Sequence, residues 1–283
     1  LLGERVGAGL HPDALRAWAA ADGRPAAGGA RAAAFALSAL ATVTGLGALL
    51  AGWPWRWLLA VLVLQGALRL AGGRRWRRLT AGLDDAVADL ELLAGALRLL
   101  EGLPADEPDL AAVPGRPRPG GAAAWAAIDR LRRLRDAYDA RRNMLFAPFA
   151  WALLWDLQHA FAIEAWRREH GPQVAGWLAA VGEFEALVSL AAYAWERPDD
   201  AWPELVPGGP LFDGEGIGHP LLPAASCVRN DLRLDGAGSL LVVSGSNMSG
   251  KSTLLRAVGL SCVLAQAGAP VRARRLRLSP LAV

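Results

Sequence analysis

Lysine is all but absent from this chain. Of its 30 basic residues one, Lys251, is a lysine, and the rest are arginine. Arginine presents a planar fork of donors and lysine a compact ammonium, so a lone lysine points to a position that needs the latter. Cysteine is scarce as well. Cys227 and Cys262 match neither a metal-ligand spacing nor a disulfide framework. They read as small core residues, and a reducing compartment suits such a chain. His159 and His170 have no metal-ligand neighbours in sequence, so neither is assigned a catalytic role. Aromatic residues are 7% of the chain against 53% hydrophobic residues, so the apolar content is mostly alanine, leucine and valine. A net charge of +3 is too small an imbalance to mark a nucleic-acid partner by itself.

Charge is missing over residues 32–54. A run of that length is enough to cross a bilayer as a helix. Residues 52–56, Gly-Trp-Pro-Trp-Arg, read as a tight turn with aromatics of the kind found at a membrane interface. A shorter apolar run follows over 57–68, then Arg69 and an arginine cluster at 74–78. With Arg24 and Arg31 on the other flank, the pattern predicts a membrane hairpin over 31–72 with both ends cytoplasmic. The plain alternative is a buried helical pair in a protein rich in alanine and leucine.

Helical spacing recurs on both sides of this hairpin. Residues 10–21 read as a short helix with Pro12 and Asp13 in its first turn. Leu79, Leu83, Val87, Leu90, Leu93, Leu97 and Leu100 mark one apolar helix face. Residues 102–121, rich in proline and glycine, read as a linker. A basic helix follows over 122–142. Its arginines could contact phosphates, but Asp129, Asp136 and Asp139 lie at helical spacing and favour a solvated, ion-paired face. Residues 143–170 and 174–196 read as two helices separated at Gly171-Pro172. Residues 197–218, dense in proline, glycine and aspartate, mark a boundary. Beyond it, 227–234 and 239–244 read as strands, and 252–266 as a helix stopped by Gly268.

Between that second strand and that helix lies Gly245-Ser246-Asn247-Met248-Ser249-Gly250-Lys251-Ser252, which meets every fixed position of G-x-x-x-x-G-K-[ST]. Gly245 and Gly250 let the backbone turn its N–H groups into one concavity. Lys251 supplies a cation for the β- and γ-phosphates, and the Ser252 hydroxyl a ligand for Mg²⁺. Thr253 opens a helix whose N-terminus favours bound phosphate. The pattern by itself implies binding of a nucleoside triphosphate such as ATP.

The wider stretch SGSNMSGKSTLLRAVGLSCVLAQAGAPVRA resembles the ATPase domain of the MutS family of DNA mismatch repair proteins. The matching residues are Asn247-Met248, 250–253, Leu255-Arg256, Ala265-Gln266, Gly268 and Val271, with Gly218-His219-Pro220 and Asn230-Asp231 upstream. Residues 183–191 are similar to the helix that closes the family's core and lever region. Ser244, Ser246 and Ser249 depart from the usual loop. No Phe-x-Glu mismatch wedge is found, since Phe184-Glu185 lacks the spacing. With the apolar hairpin upstream, the resemblance points to a membrane-associated MutS-like branch.

The resemblance implies a homodimeric ATPase using ATP and Mg²⁺, with DNA as partner and with His219 and Asn230 near the base. Nucleotide state would then drive a helical lever. The Walker B carboxylates that place Mg²⁺ and water in the family are not found, so no catalytic residue is assigned. Leu1 in place of Met, and a C-terminal run that reads as a strand cut short, suggest a piece of a longer protein. Other readings are a membrane-associated ABC-type transporter-like ATPase, or a DNA-binding sensor using ATP only as a switch. The expected fold class is an α/β P-loop NTPase domain, N-terminal part only, preceded by an all-α core/lever region and a transmembrane helical hairpin. The expected division is an N-terminal fragment at 1–30, the hairpin at 31–72, helical core/lever at 73–197, linker at 198–218 and ATPase segment at 219–283. Membrane association with the ATPase domain cytoplasmic is expected, the alternative being a cytoplasmic protein.

Overall fold

The computed structural model describes residues 9–21, 28–102, 123–246 and 249–280, with backbone alone at 28, 72 and 74–79. Most of the expected linker at 102–121 lies outside the described residues. The chain divides into two compact units, Leu1–Phe184 and Glu185–Val283.

The first unit is helical: α1 Pro12–Ala20, α2 Gly28–Leu50, α3 Arg56–Leu79, α4 Leu83–Gly102, α5 Ala124–Asp139, α6 Ala147–Ala152 and α7 Trp155–Glu196. Helix α7 continues into the second unit. The leucine stripe of α4 does what its spacing requires. Leu83, Val87, Leu90, Leu93, Leu97 and Leu100 are all buried, against Ile128 and Leu131 of α5, Ile163, Trp166 and Trp177 of α7, and Leu15 and Trp18 of α1. Trp166 lies wholly inside, with its indole N–H donating to the Ala127 carbonyl at 2.7 Å. That bond removes the cost of burying the one polar atom of a large side chain.

The basic helix α5 and the turn Ala140–Arg142 that follows it are ion-paired along their length. Arg132 and Arg133 pair with Asp129, Arg135 with Glu91 and Asp136, Arg141 and Arg142 with Asp139, and Arg130 with Glu169. The Arg132 hydrogen bond holds the Asp129 carboxyl below its usual range. The α5 arginines therefore face carboxylates of their own unit.

The transmembrane hairpin is corrected by how α2 and α3 are held. Of the two arms, only residues 29–50 are long and apolar enough to cross a bilayer by length and composition. The other helix that qualifies, Trp155–Glu196, supplies the core residues just named. Both arms are fastened to the junction of α6 and α7 by polar side chains. Ser38 of α2 donates to the Leu153 carbonyl at 2.7 Å, and Gln65 of α3 to those of Leu37 and Ala152 at 3.0 and 2.9 Å. Arg69 of α3 pairs with Asp156 at 2.8 Å. Gln65 is fully buried, a position that suits helix-on-helix packing.

Two helix boundaries also differ from expectation. Helix α7 runs unbroken through Gly171-Pro172. At Gly171 an added Cβ would lie 2.5 Å from the Ala19 carbonyl oxygen, so the glycine is there for the close approach of α1. Core contacts from Trp166 and Trp177, on either side of the proline, keep the two halves in line. The break comes instead at Leu153 and Leu154, between α6 and α7, where nothing in the local sequence asks for one.

His170 sits buried between the rings of Trp166 and Trp177, at 5.2 and 6.4 Å, with Nδ1 unpartnered. Burial pushes its pKa down; Glu169 opposes this and Arg130 adds to it. The unfolded chain takes up a proton near its ordinary pKa while the folded chain does not. Stability from the neutral ring is therefore full above about pH 6.5 and is lost as pH falls towards the lower folded value, at up to ~1.4 kcal/mol per pH unit. The melting temperature is expected to fall between about pH 7 and about pH 5.5, and less so in His170→Phe. An equal fall in both proteins would remove His170 from the account.

The second unit holds β1 Glu204–Leu205, β2 Leu211–Ile217, β3 Asn230–Asp235, α8 Lys251–Gln266 and β4 Arg275–Leu278. The strands form one small sheet in the order β1-β4-β2-β3. Strand β2 is antiparallel to β3 and β4, and only the short β1 pairs in parallel, with β4. Phe212, Leu276 and Leu278 form a buried face with Ala257 and Ala265 of α8. The arginines at 272–277 pair with Asp200, Asp231, Asp213, Glu215 and Glu204.

This overturns the expected P-loop NTPase fold. Of the described residues 64% are helical, and the strands make a small four-stranded sheet. The strand expected at 239–244 does not form: these residues have no regular structure, and Leu240 and Val242 are 85% and 78% exposed. An apolar run becomes a strand only when a neighbour takes its backbone groups. Among the described residues the sheet ends at β1 and β3, and 239–244 pairs with neither edge. Strand β2 lies inside the segment read as a linker, because its glycines Gly214 and Gly216 interrupt the alternation that would have announced it.

Candidate nucleotide site

Gly250 is the N-cap of α8 and has φ +88°, a left-handed conformation that a side chain would strain. It turns the loop so that Lys251 begins the helix. Gly245 is needed for a different reason: a Cβ there would lie 2.8 Å from the Ser249 hydroxyl oxygen, across the mouth of the loop. The 16 residues of α8 give its N-terminus a full partial positive charge. Ser252 and Thr253 are exposed in its first turn.

The Lys251 ammonium donates to the carbonyls of Gly245 and Ser246. Among the described residues no carboxylate pairs with it. A cation whose partners are the neutral carbonyls of its own loop keeps its charge available to an anion. The residues present therefore fit a polyphosphate.

A cleft of about 300 Å³ adjoins the loop. It is lined by Ser244, Ser249, Gly250, Lys251 and Thr253 on one side and by His219 and Asn230 on the other. The seven residues come from the loop, the start of α8, the start of β3 and the turn after β2. The His219 ring accepts the Leu221 N–H at Nδ1, 3.2 Å away, which places its proton on Nε2 as a donor. Gly218 precedes it, its N–H bonded to the Arg272 carbonyl at 2.7 Å, with no room for a side chain beside Cys227. Of the remaining sequence-derived site residues, Gly245, Ser246 and Ser252 lie in the loop and first helical turn beside the cleft. Asn247 and Met248 lie outside the described residues.

Ile217, Leu222, Val228, Leu254 and Ala257 form an apolar wall that sequence reasoning did not assign. The available signal was their position: Ile217, Leu222 and Val228 flank the His219 turn, and Leu254 and Ala257 lie three and six residues after the loop lysine, on one face of α8. Such a wall suits the flat, weakly polar face of a base.

Residues 241–282 match the family model described as MutS domain V. Over this segment the chain is similar to the MutS family. Among relatives, it is similar to DNA mismatch repair protein MSH6 of Arabidopsis thaliana, at 36% identity over 40% of this chain and 9% of the relative. It is similar to DNA mismatch repair protein MutS 1 of Halobacterium salinarum, at 43% identity over 35% of the chain and 11% of the relative. It is similar also to DNA mismatch repair protein MutS of Oleidesulfovibrio alaskensis, at 37% identity over 39% of the chain and 13% of the relative. The matches thus span about a tenth of each relative's length.

Proposed function

We propose that this MutS-family chain holds ATP with Mg²⁺ at the 245–253 loop and is the phosphate-gripping part of an ATPase that works on DNA. The observation that supports this most is the Lys251 ammonium, unpaired with any described carboxylate, at the head of α8 beside the cleft. In this reading the loop amides and Lys251 bind the phosphates. The Ser252 hydroxyl ligates Mg²⁺, which when bound neutralises phosphate charge. His219, Asn230 and the apolar wall take the nucleoside end.

The described residues lining the cleft include no carboxylate, so activation of water falls to residues outside that lining. A second copy of the chain meeting the first through this segment fits that requirement. DNA enters as partner through the mismatch repair proteins to which the segment is similar. Nucleotide state would then act on the helical part as a lever.

Titration with ATP, with and without Mg²⁺, tests the site. Mg²⁺ is expected to tighten binding in the native chain. Ser252→Ala should remove most of that gain, a loss of about tenfold, while leaving metal-free binding unchanged. Equal affinity with and without Mg²⁺ in the native chain would overturn the assignment of Ser252, and no ATP binding at all would overturn the proposal.

A further inference from the structure

Leu154 is fully buried and has φ +49°, the only non-glycine among the described residues in the left-handed region. It sits at the break between α6 and α7. Residues 149–170 contain no glycine or proline, so the local sequence favours one continuous helix. Such a helix would send the amides of Trp155, Asp156 and Leu157 to the carbonyls of Trp151, Ala152 and Leu153, each four residues back.

Those three carbonyls are taken. Arg69 of α3 donates to Trp151 O at 3.0 Å, and Gln65 of α3 to Ala152 O at 2.9 Å. Ser38 of α2 and Gln158 of α7 both donate to Leu153 O at 2.7 Å. Arg69 also pairs with Asp156, in the first turn of α7, and lies over the Trp151 ring at 4.9 Å. Side chains of the α2–α3 hairpin therefore occupy the acceptors that helix continuity would use, one for one.

We propose that this junction is a conformational switch. With the hairpin docked, α6 and α7 are held apart and Leu154 is kept in a left-handed turn. With the hairpin withdrawn, the three carbonyls pass to the amides of 155–157, Leu154 relaxes to helical geometry, and α6 and α7 become one helix from Ala147 to Glu196. The two states exchange hydrogen-bond donors without leaving an acceptor unmet, which makes both accessible. Whatever draws α2–α3 away from α6 shifts the equilibrium by its difference in affinity for the two states. The switch does not depend on nucleotide binding.

Residue-resolved hydrogen exchange on the full chain tests it. In the native chain the amides of Trp155, Asp156 and Leu157 are expected to exchange as an unprotected helix start. In Gln65→Leu/Arg69→Met they are expected to slow by about tenfold or more as they capture the freed carbonyls, with the amides of Leu90 and Leu97 unchanged. Adding Leu154→Gly, which removes the strain of the left-handed turn, should return them towards native rates. If the double change loosens Leu90 and Leu97 too, Arg69→Met alone is expected to slow 155–157 by about threefold. Unchanged or faster exchange at 155–157 in both variants would overturn the switch.

Discussion

Replacing Lys251 with alanine is expected to raise the dissociation constant for ATP by about 100-fold or more, near 3 kcal/mol. Lys251 alone brings a full positive charge to the loop. The remaining donors there are backbone amides and hydroxyls, which orient phosphate but carry only partial charge. Lys251→Arg is the sharper variant, because charge is kept. A guanidinium is wider than an ammonium, and in the native loop the Lys251 head already lies between the Gly245 and Ser246 carbonyls. A planar fork does not fit that space as a point charge does, so arginine is expected to fail nearly as badly as alanine. Calorimetric titration of ATP into each protein measures both. Native affinity in Lys251→Ala would sink the nucleotide site, whereas native affinity in Lys251→Arg would show that charge alone suffices.

The second large effect lies in the helical unit. Glu164 and Arg167, one turn apart on α7, are ion-paired with side chains only 2% and 6% exposed. The guanidinium also lies over the Trp18 ring at 5.7 Å, and its Nε has no hydrogen-bond partner. Glu164→Ala would leave a buried cation without its counter-charge, which costs about 3–5 kcal/mol. For a unit of this size that is a fall in melting temperature of roughly 10 °C. Removing both charges as Glu164→Leu/Arg167→Met is expected to recover most of the loss, because well-packed apolar replacements of a buried pair are often neutral. Thermal denaturation of the two variants decides it. A single variant as stable as the native chain would mean that water reaches the guanidinium.

The sequence was most legible where a local pattern and its tertiary partner agree. The stripe from Leu83 to Leu100 predicts its own burial, because six residues at helical spacing have one apolar face to hide. Gly268, with φ +80°, follows α8 by two residues, where a helix-stopping glycine belongs. The helix after the loop was readable too, since α8 covers the expected 252–266.

Legibility failed where distant contacts overrule local preference. Gly171-Pro172 is a strong local break signal, but packing of α7 on both sides outweighs one missing hydrogen bond. Leu153-Leu154 is a strong local helix signal, but donors from residues 38, 65 and 69 capture its carbonyls. Residues 239–244 have strand composition but no strand partner among the described residues, and strand structure is a property of the pair. The uncharged run at 32–54 has the length of a span, yet Ser38, Gln65 and Arg69 tie its hairpin to another helix, and their spacing along the chain gave no warning of a shared target.

The half-exposed position of Lys251 beside the cleft gives the site its own chemical handle. With arginine at every other basic position, this ε-amine is the one lysine amine that an amine-reactive reagent meets over residues 1–283. A fluorophore or crosslinker can thus be placed at the loop without mutating any residue, and a ligand seated over the ammonium would shield it from the reagent.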